Sequence, residues 1–189
     1  MTFVVKVYPN GILGNYLKNL EINESAKFEG PLGQLEYKNY QIIKKGDIVA
    51  ENVKKIGLVA GGSGITPLLQ LMRYIHDENH QVKCVLVFSN KTESDILCHD
   101  ILKDLQKTNE NMIVYHNITR EKNFENPGKD DAEYQYGRIS TNRVLQTIGT
   151  DADFYYVCGP KGLRFAMGKT LFSDIGVNKE IVYGAKVEK

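Results

Sequence analysis

No excess of one charge sign exists here: Lys plus Arg number 24 and Asp plus Glu 23, a formal net charge of +1. That balance gives no reason to expect nucleic acid as a partner. Long apolar runs are missing too. The apolar stretches are strand-sized, far below the ~20 residues that a spanning helix needs, so no membrane span is expected. The opening MTFVVKVYPNG is not a signal peptide, because its apolar run is short and Lys6 interrupts it. Cysteine is sparse, with Cys84, Cys98 and Cys158 alone. Such an odd, scattered set points to reduced thiols and a cytoplasmic setting. No metal-ligand spacing occurs. His76 and His80 stand four apart, but among Asp77, Glu78 and Asn79, where a helix should be ending. They read as solvated residues. Internal repeats and low-complexity tracts are absent. No Tyr–Lys or His–carboxylate constellation offers direct dehydrogenase chemistry.

What is present changes texture near residue 50. Residues 1–50 read as short strands and turns: 3–8, 26–29, 34–37 and 40–43 are strand-like, and 15–20 allow a helical turn. Residues 51–189 alternate strand and helix. Apolar runs at 56–60, 82–88, 112–118, 154–158 and 181–183 are separated by helical spacing at 67–76, 95–107, 141–148 and 163–172. Residues 120–136 are polar and loop-like, and Gly176 is placed to cap the last helix. Uniformly apolar strands between helices imply an α/β fold: a doubly wound, five-stranded parallel sheet covered on both faces, preceded by a partial antiparallel β-barrel. Such sheets bind ligands outside the carboxyl ends of their strands, at the switch point.

Two motifs sit at such ends. Gly61-Gly62-Ser63-Gly64-Ile65-Thr66-Pro67 follows a strand and opens a helix, the context a phosphate loop needs. Pro67 suits the first helical position and Thr66 the N-cap. A well-capped glycine turn without a ligand explains the motif equally well. Cys158-Gly159-Pro160 ends another apolar strand. If that strand neighbours the first, Cys158 and Thr66 line one crevice. Nothing basic beside Cys158 argues for a reactive thiolate. It suits contact with a planar ring better than nucleophilic attack.

Taken in order, AGGSGITPLLQLMRYI, VFSNKTESDILCHDILKDL and YVCGPKGL resemble the pyridine-nucleotide domain of the cytochrome b5 reductase family, within the ferredoxin-reductase superfamily. VVKVYPNG and FEGPLGQLEYK resemble the second half of that family's FAD-binding barrel. The likeness runs from about Val4 to Tyr183. It implies hydride transfer from NADH or NADPH to FAD, then single-electron steps to an acidic haem protein such as cytochrome b5. By position, Lys6 and Tyr8 would lie along the flavin, and Gly11, Ile12 and Leu13 would pass its pyrophosphate. Gly61, Gly62, Ser63 and Gly64 would face the nicotinamide nucleotide. Thr66 and Cys158 would bear on the reaction itself, with Gly159 and Pro160 bounding the nicotinamide pocket. Tyr183 would cover the flavin.

Three departures qualify the resemblance. The family's Arg-x-Tyr-Thr-type flavin motif precedes the segment with which this chain opens, so about half of the barrel strands have no counterpart. A truncated module that binds NAD(P)H without a working flavin is therefore the alternative function, and a preceding anchor would place the chain at the cytosolic face of a membrane. Gly14 stands where the family has a phosphate-binding Ser. Thr119 stands where its NADH enzymes carry an acidic residue, and the Thr119–Arg120 pair is able to bind a 2′-phosphate. Finally, Lys44, Lys45, Lys54 and Lys55 could steer an acidic partner, although a solvated linker explains them more simply.

Overall fold

The computed structural model describes residues 3–30, 32–121 and 133–187. Residues 3–8 make no strand ladder, contrary to the β-rich reading, and neither do residues 26–29. A strand needs a partner, and no described neighbour offers these segments an edge. The expected helical turn is α1, Ile12–Lys18, slightly earlier than its spacing suggested. A small antiparallel meander follows: β1 (Leu35–Lys38), β2 (Gln41–Lys44) and β3 (Asp47–Ala50). Its first turn places both Asn39 and Tyr40 at positive φ.

The α/β part comprises β4 (Lys55–Gly61), α2 (Ile65–Asp77), β5 (Lys83–Asn90), α3 (His99–Thr108) and β6 (Met112–Ile118). After the undescribed residues come β7 (Tyr134–Tyr136), α4 (Thr141–Thr147), β8 (Phe154–Cys158), α5 (Lys161–Gly168) and β9 (Val182–Tyr183). The parallel sheet has six strands in the order β7-β6-β5-β4-β8-β9. One more strand is present than the apolar runs suggested. β7, YQY, is a short, half-polar edge strand, and a segment read as loop therefore carries it.

Successive residues of a strand face opposite sides, so β4 feeds two cores. Ile56, Leu58 and Ala60 join α2 and α3 in one, with Leu68, Met72, Ile75 and Leu102. Val59 joins α4 and α5 in the other, with Val144, Ile148, Met167 and Leu171. Gly176, in the left-handed region, ends the helical stretch that continues from α5, as expected. The small sheet is pinned to the first core by Ile42 and Val53, both fully buried. His80 completes that junction. Its Nδ1 lies 3.0 Å from the Tyr37 hydroxyl, and its ring stands 4.5 Å from that of Tyr40. His76 lies 3.4 Å from the Asn109 side chain. Both histidines are therefore half-buried and partnered rather than solvated, His80 because the small sheet covers it and His76 because the end of α3 lies beside it. Among the described residues no cluster of three metal-ligating side chains occurs, and no helix is long and apolar enough to cross a membrane.

Candidate functional site

The chain order of the sheet reverses at β4. Strands β5, β6 and β7 extend to one side and β8 and β9 to the other. β4 and β8 are parallel neighbours, with Ala60 opposite Cys158. Their loops therefore leave the same edge side by side, at the switch point where such sheets bind ligands.

The two loops interlock through glycines. A Cβ on Gly64 would strike the Cys158 carbonyl oxygen and stand 2.7 Å from Gly159 Cα. A Cβ on Gly61 would meet Leu163 Cδ2 at 2.7 Å and Pro160 Cδ at 3.0 Å. Gly62 differs: it has φ +52 and open space where a Cβ would stand. Residues 62–64 form a single 3₁₀ turn and Gly64 is the N-cap of α2. The expectation of Thr66 as cap and Pro67 as first helical residue is thus corrected. The 3₁₀ turn starts the winding early and places Pro67 third, still within the turn whose N–H groups lack helical partners. The Thr66 hydroxyl donates to the Ser63 carbonyl at 3.1 Å, which braces the loop.

Cys158 is half-buried. Burial pushes its thiol upward, and nearby Arg164 pulls it part of the way back. A thiol held neutral is a soft surface for a ring and a poor nucleophile. Tyr183 pairs in register with Tyr156, their rings edge to face at 5.3 Å. Arg164 Nε donates to the Gly184 carbonyl at 2.6 Å, and Lys186 N donates to the Arg164 carbonyl at 2.9 Å. Arg164, which no sequence motif signals, thus holds the tail that positions Tyr183.

The N-terminal candidates are joined to this edge by one ion pair. Lys6 Nζ lies 3.0 Å from Asp95 Oδ1, in the turn after β5. That contact, mainly its hydrogen bond, holds the Asp95 carboxyl below its ordinary value. Gly11 is the N-cap of α1, and Tyr8, Ile12 and Leu13 are exposed, Ile12 at 92%. Asn15 Nδ2 gathers the loop by donating to the carbonyls of Tyr8, Pro9 and Gly11. Gly14 backs onto Val7, whose Cα would stand 3.3 Å from a Cβ there. The amides opening α1 have no helical acceptors, and no acidic residue lies in its first turn. These residues fit a pyrophosphate on one side of an FAD.

At the far end of the edge, the Thr119 hydroxyl and amide both donate to the Asn90 carbonyl at 3.0 Å. Arg120 is exposed. A surface cavity of about 570 Å³ lies elsewhere, on the small sheet beside Leu35 and Ile43. The candidate site rests on the contact between the two interlocked turns, which lie apart from that cavity.

Comparison with known proteins agrees with this geometry. Residues 58–168 match the family described as "Oxidoreductase NAD-binding domain", and residues 1–37 match "Oxidoreductase FAD-binding domain". The chain is 30% identical over 186 residues to NADH-cytochrome b5 reductase 2 of Rattus norvegicus, covering 93% of this chain and 65% of that protein. It is 32% identical over 174 residues to NADH-cytochrome b5 reductase 1 of Homo sapiens, covering 83% and 55%. The cytochrome b5 reductase domain of Ulva prolifera nitrate reductase shares the fold, with a TM-score of 0.80 at 24% identity, over 93% of this chain and 68% of that one. The chain spans between about half and two thirds of the length of these curated relatives.

Proposed function

Because the chain belongs to the oxidoreductase NAD-binding domain family, we propose that it takes a hydride from NADH onto FAD and delivers electrons to a haem protein of the cytochrome b5 type. The observation that carries the reading is the side-by-side placement of the Gly61–Thr66 and Cys158–Pro160 turns at the switch point. Bound FAD would supply the hydride-accepting ring and the single-electron steps.

The residues of this chain bind, orient and exclude water. Gly61, Gly62 and Ser63 bring main chain close to the nucleotide. Gly64 lets the two turns meet without a gap. Thr66, braced on Ser63, and Cys158, held neutral by burial, face the ring contact where close stacking does the work. Gly159 and Pro160 wall the nicotinamide side, and Tyr183 covers the other ring. No residue is required to move a proton, because the cofactors carry the chemistry. Lys6 and Tyr8 would flank the flavin, and Ile12 and Leu13 would present amides to its pyrophosphate beside Gly11, whose own amide donates to the Tyr8 carbonyl at 3.0 Å.

The acceptor part of the proposal leans on the relatives' names and on the exposed Lys45 and Lys54. Lys55 contributes less to steering because Asp151 already pairs with it. Steered reduction of an acidic haem protein should slow as salt rises.

A second reading, NADH binding without a working flavin, is favoured by the exposed apolar residues of α1. Visible absorbance separates the two. The chain supplied with FAD and desalted should keep bands near about 450 nm that NADH bleaches. A colourless chain that still binds NADH would remove the flavin half of the proposal and leave the second reading.

A further inference from the structure

Helix α5 stands behind the crevice and ties together three segments that frame it. Its Leu163 Cδ2 would lie 2.7 Å from a Cβ on Gly61 and 2.9 Å from one on Gly159, so one methyl backs both turns. Arg164, the next residue, holds residues 184–187. Its Nε donates to the Gly184 carbonyl at 2.6 Å, and its own carbonyl accepts from Lys186 N at 2.9 Å. Two glycines let this tail come so close. A Cβ on Gly168 would strike the Lys186 carbonyl, and one on Gly184, at φ +88, would strike the Val157 carbonyl. The tail is thus a strap wedged between α5 and the end of β8, and Arg164 fastens it.

The strap begins where Tyr183 ends. Tyr156 and Cys158 are two apart on β8, so both point to one face. Tyr183 pairs in register with Tyr156, and all three pack against the first core. A loose strap would therefore let Tyr183 move along the flank of Cys158. The Arg164 guanidinium reaches this flank as well, since it draws the Cys158 thiol down against the rise that burial causes. One side chain stands between tail and crevice and acts on both. The strap lies on the β8–β9 side of the switch point, and β5 and β6 lie on the other. A nucleotide laid across that point sets only its ring half against the strap.

We infer that Arg164 is a positioning residue for the pyridine ring: by fastening the strap it fixes Tyr183, and with it the side of the crevice that Cys158 lines. The inference rests on the nucleotide-binding reading above. Its test is a binding measurement and needs no turnover. The whole chain, supplied with FAD and desalted, is titrated by calorimetry with tetrahydro-NAD, whose ring gives up no hydride, and with ADP-ribose, which lacks the ring. The unaltered chain should bind tetrahydro-NAD more tightly.

Arg164→Met keeps the apolar stem and loses the charged donor. Tetrahydro-NAD affinity should fall about tenfold, and ADP-ribose affinity by less than about twofold. Arg164→Lys keeps a cation that can donate to the Gly184 carbonyl, and should return tetrahydro-NAD affinity to within about threefold of the unaltered chain. Gly184→Ala displaces the strap and leaves the guanidinium in place. It should reproduce the selective loss, and it decides alone if Arg164→Met does not fold. Equal weakening of both ligands in the Met and Ala variants marks a merely structural tie and overturns the inference. So does a tetrahydro-NAD affinity that neither variant changes. An unaltered chain that binds neither ligand defeats the nucleotide reading itself, and the inference with it.

Discussion

Residues 3–50 and residues 53–187 are both rich in apolar side chains, yet they use them differently. In the first region Ile12, Leu13, Ile22, Phe28 and Leu32 are exposed, and α1 buries no residue at all. In the second, every long strand sends alternate side chains into one of two cores. Apolar character alone does not make a core, because an opposing layer must receive it. The parallel sheet has helices on both faces. The N-terminal segment has one small sheet, held to the larger unit by Ile42, Val53 and the His80 junction. The candidate crevice lies where the well-layered half is tightest.

That contrast breaks hardest at the interlocked turns. Gly64→Val places branched carbon against the Cys158 carbonyl and Gly159 Cα. Overpacking between two main chains should cost about 3 kcal/mol and lower Tm by about 9 °C. NADH affinity should fall with it. A variant with unchanged Tm and unchanged NADH affinity would refute the interlock. Ile42→Ala should cost a comparable but smaller amount, about 2–3 kcal/mol, since it opens a cavity at a fully buried position. Ile12→Ala, at 92% exposure, should stay within about 0.5 kcal/mol. Denaturant midpoints of the two variants compare an N-terminal residue that the α/β core receives with one that it does not, and equal losses would mean that the α1 face is covered in solution.

A pH test sharpens the same comparison, because the titrating group belongs to the layered half. His116 on β6 is buried between Phe88 and Tyr134, and burial, aided by His99, lowers its pKa to about 4. Its folded pKa lies below its unfolded one, so stability is complete above about pH 6.5 and falls as pH drops toward 4. Between pH 7 and 5 the loss should be about 2 kcal/mol. His116→Phe should flatten that slope. A slope that persists in the variant would assign it to another group.

The sequence made the layered half legible because its signals are local. Apolar runs at 56–60 and 154–158, glycines just beyond them and helical spacing after them identify strands, turns and helices within a few residues. Thr66 and Cys158 were expected side by side only if their strands were neighbours, a condition that the pairing of Ala60 with Cys158 meets. What escaped the sequence depends on partners distant in the chain. Residues 3–8 have strand composition but no edge to pair with. His80 looked solvated because Tyr37 and Tyr40, some 40 positions earlier in the chain, are what cover it. β7 is short and half-polar because it lies at a sheet edge. Thr66 had every mark of a cap, and a 3₁₀ turn took that role two residues earlier. Asp95 carries no motif, and its role exists only where Lys6, 89 positions away, reaches it.

The smallest expected effect bears on how the two regions are joined. Lys6 and Asp95 stand 89 positions apart, and their side chains keep about a quarter to a third of their exposure. A pair so accessible to water contributes about 0.5 kcal/mol, so Asp95→Asn should leave the denaturant midpoint nearly unmoved. It should act on the N-terminal segment alone, whose other contacts are few. Limited proteolysis should cut within residues 9–30 several-fold faster in the variant, because opening a weakly held segment is governed by its own small free energy and not by that of the cores. Raised salt should bring the unaltered chain toward the variant's rate, since screening weakens an exposed pair. Equal cutting rates in both proteins at low salt would show that the segment is held by its apolar contacts instead, and would narrow the difference between the two halves of the chain.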